Sequence, residues 1–333
     1  MASSSSPIVS GTCLWTPTQA QIDKAEVTDF AAFMRVKTQF NWHQDFNSLW
    51  QWSVDHMPEF WDLLWDWHGI IGDKGGRILA NPNKMPGAEF FPDAQINFAE
   101  NLLADADERL AISAHSEDGR ITRVTRAELK QRVLALAGWL QSHGVTKGDR
   151  VAAYTPNCVE TVIAMLATAS LGAVFSSCSP DFGLQGVCDR FGQIEPKILI
   201  GCDGYRYAGK TIDRMDVLAA LADKLPTVDT VLVIGYLSAH PDFSRLPNAM
   251  PFEQALASAT PITQFKRMPF NAPLYILYSS GTTGAPKCIV HGIGGTLIQH
   301  IKEHRLHTNL TTCDTFFYFT TCGWMMWNWL VSG

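Results

Sequence analysis

The stretch YSSGTTGAPK, at positions 278–287, combines the residue types that bind phosphate groups. An apolar run at 274–278, typical of a β-strand, leads directly into it. Its glycines allow the backbone to approach an anion closely, and Lys287 supplies a mobile positive charge for phosphate oxygens. The other predicted phosphate ligands are glycines or residues with a hydroxyl group: Ser279, Ser280, Gly281, Thr282, Thr283 and Gly284. We therefore predict a phosphate-binding loop, with a Gly/Ser/Thr-rich surface loop as the alternative.

A second stretch, GYRYAGKT at positions 204–211, matches the phosphate-loop pattern GxxxxGK[ST] letter for letter. On this pattern alone, a P-loop NTPase that uses Lys210 is a hypothesis. A loop of that kind curls tightly around phosphates through closely spaced N–H groups, and Tyr-Arg-Tyr is bulky for that role. The next strand-like run, 230–234, also ends in Gly235 rather than in an aspartate that could hold magnesium. We therefore favour the stretch that ends at Lys287.

Strands and helices alternate in the part of the chain that must position these loops. The sequence predicts strands at 110–114, 121–124, 151–154, 197–200, 231–234 and 274–278. Helical segments are predicted between them, including 212–225. This alternation indicates an α/β fold with a mostly parallel sheet flanked by helices. Ligands in such folds bind at the carboxyl ends of the strands, which is where both candidate loops lie.

The first 95 residues have a different character, because they are rich in tryptophan. Between positions 46 and 71, apolar residues such as Phe60, Leu64 and Trp67 recur at helical spacing. Large rings at this spacing usually fill a core. We therefore predict a helical N-terminal extension over residues 1–95 that packs its aromatic side chains against the main body, and a second unit over 96–333.

Composition and charge disfavour several classes of protein. The net charge is -6, and no run of lysine and arginine resembles a nucleic-acid-binding patch. The most apolar stretch, 162–175, is shorter than the roughly 20 residues that a membrane span needs. The serine-rich first ten residues lack the features of a secretory signal. These observations predict a cytoplasmic protein without a membrane span, and they indicate no oligomeric state.

We predict no metal site formed by cysteine or histidine. None of the 8 cysteines forms a CxxC pair, which disfavours a zinc site. His300 and His304 are four residues apart and would share one face of a helix. They lack the glutamate of a metalloprotease helix, so this spacing alone does not indicate a metal site.

At the predicted phosphate loop, the sequence resembles the adenylate-forming superfamily, which includes acyl-CoA synthetases, firefly luciferase and the adenylation domains of peptide synthetases. Three further segments resemble the acetoacetate-activating branch of this superfamily. They are SPDFGLQGVCDRFGQIEPKILI (179–200), CIVHGIGGTLIQHIKEH (288–304) and FYFTTCGWMMWNWLVSG (317–333). The tryptophan-rich opening resembles the N-terminal extension of the acetyl-CoA synthetase branch. The resemblance covers nearly the whole chain and implies that residues 96–333 form part of an AMP-binding domain.

The resemblance implies a two-step ligase reaction. A carboxylate and ATP first give an acyl-adenylate and pyrophosphate, and the thiol of CoA then attacks the adenylate to form a thioester. The implied substrates are acetoacetate, ATP and CoA, with Mg²⁺ as the metal ion. Residues 279–287 would neutralise the charge that builds up on the departing pyrophosphate.

The resemblance also implies an acyl pocket and a CoA contact. Trp324, Met325 and Met326 follow Gly323 at the position where this branch lines its acyl site. A flat Trp324 ring would limit the length of the acid, and flexible methionines would accommodate a short keto acid. The alternative is that these rings belong to the core, which we favour for Trp327 and Trp329. Arg206 lies in a stretch that resembles a CoA contact, and its alternative is a solvated surface arginine.

Several motifs of the superfamily would lie after the last residue, Gly333. They include the segment that contacts adenine and magnesium, the aspartate that contacts ribose, and a small C-terminal domain with the catalytic lysine. We therefore expect a fragment that contains no catalytic residue and has little activity alone. The leading hypothesis is a ligase of which this sequence is only a part. The alternative is an inactive remnant that binds a nucleotide.

Overall fold

The computed structural model describes residues 10–42, 45–279 and 284–333. Helices make up the start of this range, as the spacing of Phe60, Leu64 and Trp67 predicts, and short strands follow them. The helices are α1 (Gln19–Asp23), α2 (Glu26–Thr38), α3 (Phe46–Asp55) and α4 (Met57–His68). The strands are β1 (Gly72–Asp73), β2 (Leu79–Ala80), β3 (Glu89–Phe90) and β4 (Gln95–Ile96). The first 95 residues are therefore helical only as far as His68.

Strands and helices then alternate, as predicted. The next elements are α5 (Phe98–Leu102), β5 (Leu110–His115), β6 (Ile121–Thr125), α6 (Arg126–Ser142), β7 (Arg150–Tyr154), α7 (Val159–Ser170), β8 (Val174–Cys178), α8 (Leu184–Phe191) and β9 (Ile198–Cys202). They are followed by β10 (Gly204–Tyr207), β11 (Lys210–Asp213), α9 (Met215–Lys224), β12 (Thr230–Ile234), β13 (Ala249–Pro251) and α10 (Phe252–Ser258). The last elements are β14 (Met268–Pro269), β15 (Pro273–Tyr278), β16 (Cys288–Gly292), α11 (Ile293–Ile301), a π-helix (Lys302–His307) and α12 (Met325–Val331).

The largest sheet in the described part of the chain has seven strands, in the order β13-β12-β9-β7-β8-β15-β16. Neighbouring strands are parallel, apart from the antiparallel pair β15–β16. Residues of β7 alternate between two hydrophobic clusters, because successive side chains of a strand point to opposite faces. Val151 and Ala153 join the cluster that contains α7, whereas Ala152 and Tyr154 join the cluster that contains α8 and α9. The predicted α/β fold with a mostly parallel sheet is confirmed.

The direction of the chain reverses at the centre of this sheet. From β7 the chain passes through α7 to β8 on one side, and from β8 it passes through α8 to β9 on the other side. A reversal of this kind opens a crevice at the carboxyl ends of the two strands concerned, and ligands of open α/β sheets bind in such crevices. The carboxyl ends of β7 and β8 are therefore the place to look for a site.

The N-terminal helices pack onto the same core as the sheet. Phe30 of α2 and Leu64 of α4 belong to the hydrophobic cluster that contains α7. The guanidinium group of Arg305, in the π-helix, forms an ion pair with Glu26 and lies 3.9 Å from the centroid of the Trp67 ring. The helices at the start of the chain therefore contact the main body through both apolar and charged side chains.

Candidate active site

The predicted phosphate loop connects two antiparallel strands at the carboxyl end of β15. Tyr278 of β15 lies opposite Cys288 of β16. The backbone N–H of Ser279 donates to the carbonyl oxygen of Lys287 at 3.0 Å, and the N–H of Lys287 donates to Ser279 Oγ at 3.2 Å. The ends of the loop are thus fixed beside each other. Four of the predicted phosphate ligands lie outside the described residues: Ser280, Gly281, Thr282 and Thr283.

Lys287 is available to a ligand in the described structure. Its side chain is exposed, and it forms no ion pair with any residue that the structure describes. Gly284 is exposed as well, with open space where a side chain would be. The residue before Lys287 is anchored, because Gln193 Nε2 donates to the carbonyl oxygen of Pro286 at 2.8 Å. An ammonium group without a counter-ion among the described residues therefore stands at the edge of the sheet.

The competing GYRYAGKT stretch forms a hairpin instead of a phosphate loop. Strands β10 and β11 pair with Tyr207 opposite Lys210, and Ala208 and Gly209 form the turn with φ values of 50° and 74°. The N–H groups of both turn residues donate to the carboxylate of Glu117, each at 3.1 Å. The donors that a phosphate would need are thus occupied by an anionic side chain.

The hairpin also corrects one predicted helix. The sequence predicts a helix from residue 212, but β11 extends to Asp213 and α9 begins only at Met215. The prediction was wrong at its start because the pairing of β10 with β11 outweighs the helical pattern of the segment that follows.

Arg206, the predicted CoA contact, lies on β10 among other charged groups. Its Nε atom is 3.2 Å from an Asp118 carboxylate oxygen, and its Nη1 atom donates to Thr211 Oγ1 at 3.0 Å. Hydrogen bonds from Ser116 and then from Arg120 lower the pKa of Asp118 to about 2. Arg206 is therefore partly neutralised, and its role towards CoA stays a prediction.

The predicted acyl-pocket segment lies on the crevice at the carboxyl ends of β7 and β8. The hydroxyl group of Ser177, in β8, donates to the carbonyl oxygen of Cys322 at 2.6 Å. The thiol of Cys322 donates to the carbonyl oxygen of Thr155, directly after β7, at 2.8 Å. A Cβ atom on Gly323 would lie only 3.1 Å from the backbone nitrogen of Ser179, so the chain passes close to the end of β8.

The tryptophans of this segment differ in exposure. Trp324 is 64% exposed and Met325 is 55% exposed, whereas Trp327 is fully buried. The Trp327 ring packs near Phe175 of β8, with ring centroids 6.4 Å apart. The core interpretation is confirmed for Trp327, while Trp324 and Met325 face outwards at the crevice. Met326, the next residue, is partly buried.

Two residues that fix this segment were not predicted from the sequence. Thr155 and Asn157 immediately follow β7, and Asn157 Oδ1 accepts a hydrogen bond from Trp327 Nε1 at 2.9 Å. Their position after a predicted strand at a carboxyl edge was the only available signal. Their partners lie about half the chain away in sequence, so no local pattern connects them.

His300 and His304 contact α12 through their ring nitrogens. His300 Nδ1 lies 2.7 Å from the hydroxyl group of Ser332, and His304 Nε2 lies 2.9 Å from the carbonyl oxygen of Trp329. Burial lowers the pKa of both imidazoles, and with neighbouring histidines it lowers the pKa of His300 to about 3. Both rings are therefore neutral near pH 7 and join the end of α11 and the π-helix to α12.

Because the pKa values of these two histidines are lowered, we expect the folded chain to lose stability in acid. Their pKa values are lower in the folded chain than in the unfolded chain, so the stabilisation is complete above about pH 6.5 and is lost as the pH falls, for His300 towards about pH 3. We expect the free energy of unfolding to fall by about 2 kcal/mol at most per histidine between pH 6.5 and pH 5. Denaturant titration at several pH values measures this. In a His300→Asn variant, the free energy of unfolding should fall less steeply with decreasing pH. The control variant at the exposed His240, His240→Asn, should show the same slope as the unmodified protein. Equal slopes for the two variants and the unmodified protein would contradict the assignment.

Comparison of the sequence with known protein families agrees with this architecture, a mostly parallel α/β sheet with a glycine-rich loop at its carboxyl edge. The family model of the AMP-binding enzymes matches residues 100–333, and the chain belongs to this family. Among curated relatives, the acetoacetyl-coenzyme A synthetase of Rhizobium meliloti (strain 1021) is 45% identical over 328 residues, which cover 96% of this chain and 49% of that protein.

Two further comparisons support the relationship. The solved structure of acetoacetyl-CoA synthetase from Streptomyces lividans superposes with a TM-score of 0.90 at 40% identity, covering 96% of this chain and 49% of that one. The malonamoyl-CoA synthetase of Penicillium aethiopicum is 38% identical over 303 residues, which cover 86% of this chain and 42% of that protein. The chain thus spans about half the length of the relatives it matches. Separately, no helix in the described ranges has the length and apolar character of a membrane span.

Proposed function

We propose that the natural protein carrying this sequence is an ATP-dependent acid–thiol ligase that forms acetoacetyl-CoA, AMP and pyrophosphate from acetoacetate, ATP and CoA. The observation that supports this most directly is that the predicted phosphate loop and the predicted acyl-pocket segment lie side by side. The loop that ends at Lys287 leaves β15, and the segment around Trp324 crosses the ends of β7 and β8. Because β8 pairs with β15, the two segments are neighbours at one edge of the sheet.

This neighbourhood suits the formation of an acyl-adenylate. A carboxylate oxygen of the acid attacks the α-phosphorus of ATP, and the bond from that phosphorus to the pyrophosphate oxygen breaks. The pyrophosphate gains negative charge as it leaves, and a preorganised cation such as Lys287 stabilises that charge. In the second step, the CoA sulfur attacks the acyl carbon and AMP leaves.

The proposal assigns roles to three groups of residues. The phosphates of ATP would contact Ser279, Ser280, Gly281, Thr282, Thr283, Gly284 and Lys287. The acid would lie against Trp324, Met325 and Met326, and CoA would contact Arg206. Mg²⁺ would be bound in part through the phosphates of ATP, as is common for this ion.

The names of the relatives narrow the class of acid. Acetoacetate and malonamate both carry a carbonyl group at C3 and a small terminal group, a methyl group in one and an amino group in the other. The exposed rim of Trp324 and Met325 is consistent with a short acid of this class, because a rigid ring beside a flexible thioether can enclose a small polar chain. We therefore propose short 3-oxo acids as the substrate class.

The same proposal covers domain organisation and location. Residues 1–95 would form the N-terminal extension of the acetyl-CoA synthetase type, and residues 96–333 would form part of the adenylation domain. The protein would act in the cytoplasm.

A comparison of acids tests the proposed function. Pyrophosphate release by the natural protein should be measured with acetoacetate, acetate, propionate and 3-hydroxybutyrate as alternative substrates. We expect kcat/KM for acetoacetate to exceed that for acetate by about tenfold or more, since a single group in a pocket changes selectivity by about 10- to 200-fold. A preference for acetate would contradict the acid assignment, and pyrophosphate release that is independent of any acid would contradict the ligase itself.

A further inference from the structure

The acyl-pocket segment is fixed at both of its ends. At one end, the thiol and the carbonyl group of Cys322 bond to the residues at the carboxyl ends of β7 and β8. At the other end, the indole N–H of the buried Trp327 donates to Asn157 Oδ1 at 2.9 Å. Only residues 323–326 lie between these attachments. The position of Trp324 therefore depends on both of them.

The second attachment is coupled directly to Trp324. The backbone N–H of Trp327 donates to the carbonyl oxygen of Trp324 at 3.0 Å, in the turn that begins α12. A shift of the Trp327 ring thus moves the backbone that carries the Trp324 side chain. Because protein interiors are closely packed, a displacement at one such contact is transmitted to its neighbour.

Asn157 is the exposed partner in these attachments. The partners at the other attachment, Ser177 and Cys322, are buried, and Trp327 is fully buried. Asn157 is exposed, in the short segment between β7 and α7. A substitution at Asn157 therefore removes one hydrogen bond without opening a cavity in the core.

We propose that Asn157 is a positioning residue for the acid pocket. Its amide oxygen fixes the Trp327 ring and, through the first turn of α12, sets where Trp324 and Met325 stand over the crevice. The inference rests on the proposed function, because it assigns these side chains to the acid. It predicts that changes at Asn157 alter how the enzyme selects its acid and leave its use of ATP unchanged.

The first test separates the acid from the nucleotide. In the natural protein, Asn157→Ala should raise KM for acetoacetate by about three- to tenfold, the range that the loss of one net hydrogen bond produces. KM for ATP should stay as in the unmodified protein, and the midpoint of denaturant unfolding should fall only slightly, through the loss of one hydrogen bond. Asn83→Ala, at another exposed asparagine, is the matched control and should change none of these values. An unchanged KM for acetoacetate, or an equal rise in both KM values, would overturn the proposal.

The second test uses a substitution that keeps the acceptor oxygen. Asn157→Asp retains a hydrogen-bond acceptor for the Trp327 indole and should restore KM for acetoacetate to within about twofold of the original value. A loss in Asn157→Asp equal to that in Asn157→Ala would overturn the positioning role, since the amide group would then act on the acid itself. Trp327→Phe removes the indole donor, so adding Asn157→Ala to it should raise KM no further.

A third measurement does not depend on activity. With 5-fluorotryptophan in the 333-residue chain, the ¹⁹F resonance of Trp324 should shift in Asn157→Ala and keep its position in Asn157→Asp. An unmoved Trp324 resonance in Asn157→Ala would overturn the proposed coupling. If the unmodified natural protein releases no pyrophosphate with any short acid, the proposed function fails instead, and the ¹⁹F spectra still decide whether Asn157 positions Trp324.

Discussion

Replacing Lys287 with alanine is expected to lower acetoacetate-dependent pyrophosphate release by about 100- to 1,000-fold, the loss typical of removing one preorganised group that stabilises transition-state charge. Lys287 is exposed at the exit of the loop that leaves β15 and forms no ion pair with any described residue. Its charge is therefore free to act on a leaving pyrophosphate. Steady-state pyrophosphate release at saturating ATP and acetoacetate measures the effect.

Lys210→Ala is the matched control for this experiment. Lys210 is also exposed, and it completes the competing GxxxxGK[ST] pattern, but it lies on a hairpin whose turn amides bond to Glu117. We expect Lys210→Ala to retain pyrophosphate release within about twofold, as for a surface substitution away from the site. A large loss in Lys210→Ala with little change in Lys287→Ala would reverse the choice of phosphate loop.

Replacing Trp327 with alanine is expected to lower the free energy of unfolding by about 3–5 kcal/mol. The Trp327 ring, on α12, is fully buried and packs near Phe175 of β8, and its N–H is bonded to Asn157. Its removal would leave a large cavity and an acceptor without its indole partner. Urea unfolding followed by circular dichroism measures the change.

Trp324→Ala is the matched control, three residues away in sequence. Because 64% of the Trp324 side chain is exposed, we expect its removal to change the free energy of unfolding by no more than about 0.5 kcal/mol. It should instead relax the preference for short acids in the pyrophosphate assay. A loss of stability in Trp324→Ala equal to that in Trp327→Ala would show that both rings belong to the core.

Much of the fold could be predicted because its signals are local. Thr125 and Glu128, three residues apart, form a capping box at the start of α6, and Leu129 and Leu136 occupy its buried face. Strand β15 ends at Tyr278, where the sequence predicts it to end. Periodicity and capping depend on residues three or four apart, so one sequence reveals them.

The parts that could not be predicted depend on distant residues. The hairpin at Ala208 and Gly209 does not form a phosphate loop because its turn N–H groups bond to the carboxylate of Glu117. Glu117 is more than 90 positions upstream of Gly209. Likewise, Trp327 packs near Phe175 and bonds to Asn157, which are 152 and 170 positions away in the sequence. Local patterns contain no information about such pairs, so the sequence could favour the core for Trp327 but could not identify the residues that contact it.

The carboxyl edge of the sheet is proposed to hold the phosphates of ATP beside the acid. A crystal structure of the natural protein with a non-hydrolysable ATP analogue and acetoacetate would show where both ligands bind. We predict that the terminal phosphates lie about 3 Å from Lys287 Nζ, within hydrogen-bonding distance, and that the acid contacts Trp324. Phosphates bound at the Tyr207–Lys210 hairpin, or an acid bound away from the ends of β7 and β8, would contradict the claim.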